Sequence, residues 1–289
     1  MADSLIRVMA FDNTVRAFAV DIKNTLHTAM GYHKLNPLAA TALGRALEGV
    51  AMMREMTKSE DDTITLRIKS EGSMGGLVAV GSNNGMLKGY VSNNDYSSYG
   101  DGALLGVGPC LMPGFMTIVK DLGLKEPYSG TVPLQSGEIG DDLAYYYTYS
   151  EQIPSLVALG VKLNPDATVR SAAGIIIQLM PGAKDDTIIH IEKRLKEVGS
   201  ASKLYEKTKT PIGMLEFMLG TENLTVTDEK EVMYKCGCSR DSMLRGVISI
   251  GRDELTKIID EQDEVETVCH FCMKKYKFDS EEIKSILKN

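Results

Sequence analysis

The sequence of 289 residues contains no tryptophan, only six phenylalanines and only five cysteines. It also lacks a long apolar run. Its longest apolar stretch, residues 172–180, contains Gly174 and Gln178 and ends before Pro181, so it is far shorter than the about 20 residues of a transmembrane helix. Charged side chains recur along residues 1–18, which therefore lack the apolar centre of a secretory signal. We expect a soluble, cytoplasmic protein without a membrane partner.

Basic residues are outnumbered, with 32 lysines and arginines against 39 acidic residues, which gives a net charge of -7. This balance excludes a general attraction for nucleic acid or anionic lipid. The sequence has no phosphate-binding Gly-x-x-x-x-Gly-Lys-Ser/Thr motif that would indicate ATP binding. His27, His33 and His190 are not paired with a nucleophile in the sequence. We therefore predict no catalytic residue, and a protein that is not an enzyme.

The pattern of residues 1–182 predicts an N-terminal α+β core domain with substantial antiparallel sheet. A helix is expected from Pro37 to Met56 and a second over residues 138–149, and Asn83–Gly85 is a hairpin signal. Six segments rich in β-branched residues and bounded by Gly, Asn, Asp or Pro predict strands: residues 5–11, 63–70, 75–82, 86–93, 115–122 and 168–179.

Residues 183–235 change in character, because nine basic and ten acidic side chains fall among few strand formers. Apolar residues recur at helical spacing between Ile188 and Val198, with more between Leu204 and Leu219. The pattern predicts a linker of short amphipathic helices. A segment with so little core of its own is expected to be only conditionally stable.

Residues 236–289 predict a small C-terminal domain with helices at residues 243–250 and 253–260, and a last helix that begins at Asp279 with Glu282 three residues further on. Fewer than sixty residues build a poor hydrophobic core. A unit of this size usually needs a metal ion or disulfides to fold.

Four of the five cysteines lie in that domain, in the pairs Cys236–Gly237–Cys238 and Cys269–His270–Phe271–Cys272. Two close pairs separated by a long insertion are typical of a four-thiolate zinc site, because a Cys-x-x-Cys turn presents two sulfurs to one tetrahedral ion without strain. We expect Gly237 to permit a tight turn, since it has no Cβ. Cys110 stands alone and is interpreted as a buried or semi-buried structural thiol.

The spacing leaves two interpretations open. The zinc is either permanently structural, or the thiolates form a redox switch, because a Cys-x-Cys pair can close into a strained, easily reduced disulfide when the metal leaves. His270 is an alternative ligand, although four thiolates already fill a tetrahedral shell. Our expectation is that His270, with Lys274, Lys275 and Lys277, lowers the pKa of the thiols.

The acidic residues Glu138, Asp141 and Asp142 are interpreted as favourable charges at a helix N-terminus rather than as an acid–base pair. The glycine-rich stretch at residues 72–76 lies between two predicted strands and opens no helix. It is therefore expected to be a bend or bulge, not a phosphate-binding loop.

The arrangement of Cys236–Gly237–Cys238 and Cys269–His270–Phe271–Cys272 in a C-terminal unit resembles the 33 kDa chaperonin family of redox-regulated heat-shock chaperones. Three stretches of the N-terminal domain support the resemblance, namely residues 67–91, 136–161 and 172–183. Together these features extend over essentially the whole chain.

The resemblance implies an ATP-independent holdase that binds unfolding client proteins. It implies that Cys236, Cys238, Cys269 and Cys272 hold one zinc ion per chain in a reduced, inactive form. Oxidation would join Cys236 with Cys238 and Cys269 with Cys272, release the zinc and unfold the C-terminal domain and linker. Activation would be accompanied by formation of a homodimer.

The main alternative is a zinc-ribbon regulatory protein that binds nucleic acid. Local charge argues against it, because residues 236–289 contain nine basic and eleven acidic side chains. A zinc hydrolase is a third possibility, but four thiolate ligands leave no open coordination position for water.

Overall fold

The computed structural model describes residues 2–94 and 106–288. The chain forms two compact units, residues 1–235 and residues 236–289. No helix in the described ranges is both long and apolar enough to span a bilayer.

The first unit combines one large sheet with helices on both of its faces. Its described strands are β1 (Asp3–Ala10), β2 (Val15–Asp21), β3 (Thr63–Ser70), β4 (Gly76–Ser82), β5 (Met86–Val91), β6 (Gly114–Asp121), β7 (Tyr128–Pro133), β8 (Ser155–Leu163), β9 (Val169–Leu179) and β10 (Leu224–Tyr234). Its described helices are α1 (Lys23–His33), α2 (Pro37–Arg54), α3 (Gly108–Leu111), α4 (Gly140–Tyr146), α5 (Asp185–Val198), α6 (Ala201–Thr208) and α7 (Pro211–Leu219).

The ten strands form one sheet in the order β7-β6-β3-β4-β5-β10-β1-β2-β9-β8. Neighbouring strands are antiparallel, except that β10 and β5 are parallel and pair over only two positions, Met233 with Met86 and Tyr234 with Leu87. The predicted α+β class with a mainly antiparallel sheet is therefore confirmed.

Both faces of the central strands are buried, because successive side chains of a strand point to opposite faces. In β2, Phe18 and Val20 belong to one apolar core, whereas Val15, Ala17 and Ala19 belong to a second core. The first core contains side chains of α1, α2 and α4, and the second contains side chains of α5, α6 and α7. The helices predicted as a linker therefore cover one face of the sheet.

Several local predictions are confirmed. Helix α2 begins at Pro37, where the side chain of Asn36 accepts a hydrogen bond of 2.9 Å from the backbone N–H of Ala39. The six predicted strands agree with β1, β3, β4, β5, β6 and β9 to within two residues at either end. Residues 72–76 form a turn between β3 and β4, where Gly76 has a φ of 130°. Cys110 is fully buried.

Residues 224–234 require a correction. The charge density of residues 183–235 predicts helices, but residues 224–234 form strand β10 in the middle of the sheet. Most side chains of β10 are exposed, and Val232 is the one described residue of this strand that is buried. Its pairing partner β1 lies more than 200 residues away in sequence, so the pairing leaves no local pattern in the sequence.

The acidic cluster occupies the N-terminus of α4, as predicted. The Asp142 carboxylate accepts hydrogen bonds from the backbone N–H groups of Gln135 and Ile139, at 2.6 and 2.9 Å. Glu138 instead accepts from the Gly108 N–H at 2.9 Å and pairs with Arg45. These carboxylates therefore have structural partners.

Glu48 of α2 is completely buried against β8. The Gly160 N–H donates to its Oε2 at 2.9 Å, and its Oε1 has no hydrogen-bond partner. Burial raises the pKa of this carboxyl well above its usual range. A carboxyl group with a raised pKa stabilises the fold most below its unfolded-state pKa, and that contribution is lost as pH rises through the folded-state value.

We expect Glu48→Gln, which stays uncharged, to unfold at a higher temperature than the wild type, by a margin that grows as the pH rises above the ordinary titration range of a carboxyl group. Calorimetry at several pH values measures this margin. Glu71→Gln, at an exposed position, is the control and should show no such trend. A constant margin for Glu48→Gln would contradict the raised pKa.

The second unit contains α8 (Arg240–Ile248), α9 (Arg252–Glu261), the hairpin of β11 (Glu264–Val268) and β12 (Lys275–Asp279), and α10 (Ser280–Lys288). The three helices were expected and the hairpin was not. Asp279 accepts from the Glu281 N–H at 2.8 Å, so it caps α10 as predicted, whereas Glu282 pairs with Arg240. The core is small and consists of Val247, Leu255, Ile259, Val265, Cys269, Tyr276, Phe278 and Ile283.

Candidate metal centre

The first cysteine pair lies in the extended segment between β10 and α8. Ser239 fixes the start of α8, because its side chain accepts from the Ser242 N–H at 3.2 Å while Ser242 Oγ accepts from the Ser239 N–H at 2.9 Å. Gly237 adopts no positive φ, and a Cβ there would meet no heavy atom within 4 Å. The expected need for glycine in a tight turn is therefore wrong.

The second pair lies on the turn that joins β11 to β12. The Cys269 N–H donates to the Lys274 carbonyl at 2.9 Å, and the Met273 N–H donates to the Cys269 carbonyl at 2.8 Å. Met273 adopts a left-handed conformation with a φ of 59°. The turn holds Cys269, which is buried, and Cys272, which is half-buried, on the side that faces the first pair.

The four thiol sulfurs lie within 4.8 Å of one another. The closest approaches join the two pairs, with Cys236 Sγ 3.6 Å from Cys269 Sγ and Cys238 Sγ 3.5 Å from Cys272 Sγ. Sulfurs bound at 2.3 Å around a tetrahedral ion are about 3.8 Å apart. The cluster therefore fits one tetrahedral metal ion that takes two ligands from each pair.

The environment of the cluster gives the thiols different pKa values. Desolvation raises the pKa of Cys236 to about 12 and also raises that of Cys272. Desolvation opposes ionisation of Cys238 too, but hydrogen bonds from Tyr276 and the neighbouring thiols lower its pKa to about 7. The Tyr276 Oη lies 3.1 Å from Cys238 Sγ. Without a bound ion, Cys238 is therefore the most readily ionised of these three thiols, and ionised thiols react with oxidants.

The basic residues near the second pair act differently from the prediction. Lys275 and Lys277 pair with Glu266 and Glu264 across the hairpin, at 2.8 and 2.6 Å. Lys274 Nζ lies 5.1 Å from the centre of the Tyr276 ring. Tyr276 belongs to no cysteine motif, yet it is the side chain outside the cluster that lowers the pKa of Cys238 most. Its alternation with Phe278 along β12 was the available signal of an inward-facing residue.

Tyr276→Phe removes the hydroxyl group and keeps the ring. The hydrogen bond from this hydroxyl helps to lower the pKa of Cys238 to about 7, so in the reduced, zinc-loaded variant we expect that pKa to be higher and protons to displace zinc at a higher pH than in the wild type. Zinc release against pH, followed with a colorimetric chelator, measures this change. Tyr149→Phe, which removes a hydroxyl from an exposed side chain, is the control. An unchanged pH profile in Tyr276→Phe would assign the low pKa to another group.

The fold and the centre define a class: an α+β protein with a large sheet covered by helices on both faces, and a small C-terminal unit whose four clustered cysteines could hold a metal ion. The family described as "Hsp33 protein" matches residues 3–279. The chain belongs to this family.

Individual relatives agree over the full length. The chain is 41% identical to the 33 kDa chaperonin of Caldanaerobacter subterraneus subsp. tengcongensis, over 100% of this chain and 99% of that protein. It is 39% identical to the 33 kDa chaperonin of Bacillus cytotoxicus, over 99% of both chains. The crystal structure of the 33 kDa chaperonin from Thermotoga maritima superimposes with a TM-score of 0.90 at 32% identity, over 100% of this chain and 98% of that one.

Proposed function

We propose that the chain is a redox-regulated, ATP-independent holdase, inactive while Cys236, Cys238, Cys269 and Cys272 hold one zinc ion and active after these thiols are oxidised. The observation that carries the proposal is the convergence of four thiol sulfurs within 4.8 Å in a unit with a small core. Zinc suits the donor set, because it accepts four thiolates in a tetrahedron. When bound, it would join the segment before α8 to the turn between β11 and β12.

The second unit has few other sources of stability. Its core includes eight buried side chains, one of which is Cys269 itself. Its ion pairs, such as Arg240–Glu282 and Lys277–Glu264, involve exposed groups and so contribute little. Because structural zinc contributes on the order of 10 kcal/mol to the folding of small thiolate domains, loss of the ligands is expected to unfold the unit.

Oxidation is proposed to start at Cys238. Its thiolate attacks hydrogen peroxide, which forms a sulfenic acid and releases water after proton transfer. The Cys236 thiolate then attacks that sulfur and displaces hydroxide, which leaves as a second water. Cys269 and Cys272 pair in the same way. Each disulfide thus transfers two electrons to one peroxide.

Unfolding of the second unit is proposed to reach the linker through β10, which ends at Tyr234 just before Cys236. The C-terminal end of β10 is held to β5 by two residue pairs and by the hydrogen bond from the Lys235 N–H to the Leu87 carbonyl, at 2.8 Å. Most of its side chains are exposed. Val232 also pairs with Asp3 of β1, and the Tyr234 hydroxyl donates to the Gly89 carbonyl at 2.8 Å, so detachment of this end has to break both sets of contacts once the chain beyond it is disordered.

The client-binding surface is proposed to be the apolar face that α5, α6 and α7 cover. On these helices the buried side chains include Ile191, Leu204 and Met218, and they pack on a sheet face that contains Val8 and Ile175. Detachment of the helices would expose both apolar surfaces at once. Large exposed apolar patches mark surfaces that bind other proteins, which suits a chaperone for unfolding clients.

Polar contacts hold the linker closed in the reduced protein. The Tyr205 hydroxyl donates to the Asp21 carboxylate on β2. Glu206 pairs with Lys162 of β8 at 2.7 Å and with Arg170 of β9 at 2.9 Å. These contacts connect α6 to β2, β8 and β9. Their charged groups are partly exposed, so each contact is individually weak.

The test is treatment of the reduced, zinc-loaded protein with hydrogen peroxide at mildly raised temperature. We expect release of one zinc per chain, suppression of the aggregation of a thermally unfolding client, disulfides Cys236–Cys238 and Cys269–Cys272 in peptide mass spectra, and a dimer by light scattering. Cys110→Ala, which removes the buried thiol outside the cluster, is the matched control and should respond fully.

Two results would contradict the proposal. Zinc release without suppression of client aggregation would exclude the chaperone switch. Disulfides between Cys236 and Cys269 and between Cys238 and Cys272, whose sulfurs are closest in the structure, would contradict the proposed pairing.

A further inference from the structure

A cavity of about 210 Å³ lies in the first unit and is lined by residues of that unit alone. It is bounded by β2, β6 and β9, by the C-terminal end of α2 and the residues after it, and by the π-turn at Tyr147–Glu151. Engineered cavities of about 150 Å³ hold benzene, so this cavity has room for a ligand of six or more non-hydrogen atoms.

Arg16 supplies a positive charge to the cavity wall that no carboxylate neutralises. Its Nη2 donates to Gln178 Oε1 at 2.7 Å, and Gln178, which is fully buried and uncharged, donates in turn to Ser155 Oγ at 3.1 Å. Its Nε is buried without a hydrogen-bond partner. Burial lowers the pKa of Arg16, and no aspartate or glutamate is among the described groups that shift it. Buried or half-buried charges in proteins are normally paired.

The second cation of the wall is already neutralised. Lys120 Nζ lies 2.7 Å from Glu151 Oε1, and the same oxygen accepts a hydrogen bond of 2.6 Å from the Tyr146 hydroxyl. Lys120 and Glu151 therefore cancel in charge, and the cavity keeps a net charge of one positive unit from Arg16. A ligand with one negative charge would balance it.

Met53, Met56, Thr57, Tyr147 and Ile153 form the remainder of the wall. Met53, Met56 and Ile153 contribute thioether and aliphatic groups, and the Tyr147 hydroxyl is directed to Met56 Sδ at 3.1 Å. A doubly charged anion such as phosphate would place its second charge near the Glu151 carboxylate and these apolar groups, which is unfavourable. The wall thus favours an anion with one charged end and an apolar remainder.

We propose that this cavity binds a short-chain carboxylate, with the carboxylate on the Arg16 guanidinium and the chain against Met53, Met56 and Ile153. A guanidinium binds a carboxylate through charge-assisted hydrogen bonds. The site lies on the face of the sheet opposite α5–α7, because Arg16 shares the strand face of Phe18. It is independent of the proposed redox switch.

The test is titration of the reduced full-length protein with sodium butanoate, with binding measured by calorimetry and by the NMR signals of ¹³C-labelled methionine methyl groups. We expect saturable binding that shifts the Met53 and Met56 signals. Arg16→Gln should weaken butanoate binding at least tenfold. Arg7→Gln, which removes the same charge from the neighbouring strand β1 outside the cavity, should change it less than twofold.

Ile153→Phe leaves Arg16 in place and fills part of the cavity, so it tests the site if Arg16→Gln fails to fold. It should also weaken binding at least tenfold. Inorganic phosphate at equal ionic strength separates the ligand classes, and we expect no saturable binding. The proposal is overturned if butanoate does not saturate, if Ile153→Phe binds it like the wild type, or if phosphate binds more tightly than butanoate.

Discussion

Replacement of both Cys238 and Cys272 by serine is expected to unfold residues 236–288 in the reduced protein while the first unit stays folded. The substitution removes one sulfur from each pair and leaves two ligands for a metal that needs four. Structural zinc contributes on the order of 10 kcal/mol, whereas a core of this size rarely supplies more than about 5 kcal/mol. The bound metal thus contributes more to the stability of the unit than its apolar core does, so loss of the metal is expected to unfold the unit.

Hydrogen exchange followed by mass spectrometry measures this effect. Peptides from α8, α9 and α10 should exchange within seconds in the double variant, and peptides from β1, β2 and β9 should keep their protection. Bound zinc should fall from one per chain to none. Cys110→Ala should keep both the zinc and the protection, because Cys110 lies in the core of the first unit. Protected amides in a zinc-free second unit would show that its apolar core suffices.

The cysteine cluster was predictable because its four thiols lie in two short sequence motifs. Close spacing places Cys236 beside Cys238 and Cys269 beside Cys272 in any fold, so only the approach of the two pairs depends on tertiary structure. Tyr276 was not predictable in its role. Its hydroxyl reaches Cys238 because the β11–β12 hairpin brings β12 alongside the first pair, and no local pattern encodes that approach.

The sheet, too, could be predicted only in part from the sequence. Strands β3 to β6 follow from β-branched segments, and the Asn83–Gly85 turn joins β4 to β5 as its residues predict. Strand β10 does not follow, because exposed charged side chains on both faces resemble a solvated helix, and its ladder to β1 joins opposite ends of the chain. The periodicity of apolar residues in a sequence reflects which side chains are buried. A strand that is held mainly by backbone hydrogen bonds has no such periodicity and cannot be recognised from it.

The docking face of the linker was partly visible in the sequence. Strands β2 and β9 are almost continuously apolar rather than alternating, and such strands are usually covered on both faces. The amphipathic helices of residues 183–219 are the elements that supply the second cover. The sequence does not show where the linker contacts the sheet. In the structure α6 packs closely against Gly160 of β8, a residue without a side chain.

Gly160→Ala is expected to loosen the linker in the reduced, zinc-bound protein. A Cβ at this position would lie 2.7 Å from the backbone nitrogen of Ser202 and 3.1 Å from the Cβ of Ala201, at the start of α6. Strand β8 cannot easily retreat, because the Gly160 N–H is bonded to buried Glu48. Gly160 has no positive φ, so alanine suits the strand itself. The clash therefore acts on α6, at a cost of about 1–3 kcal/mol.

That cost corresponds to an increase of about 5- to 150-fold in the opening of the linker. Hydrogen exchange of residues 185–208 should accelerate by this factor, and the reduced variant should suppress client aggregation without peroxide while it retains its zinc. Gly31→Ala is the matched control, because a Cβ there meets no heavy atom within 4 Å. Since the variant leaves all four cysteines in place, activity in its reduced form would separate linker release from thiol oxidation. Faster exchange without activity would instead show that the covered face is not the client surface.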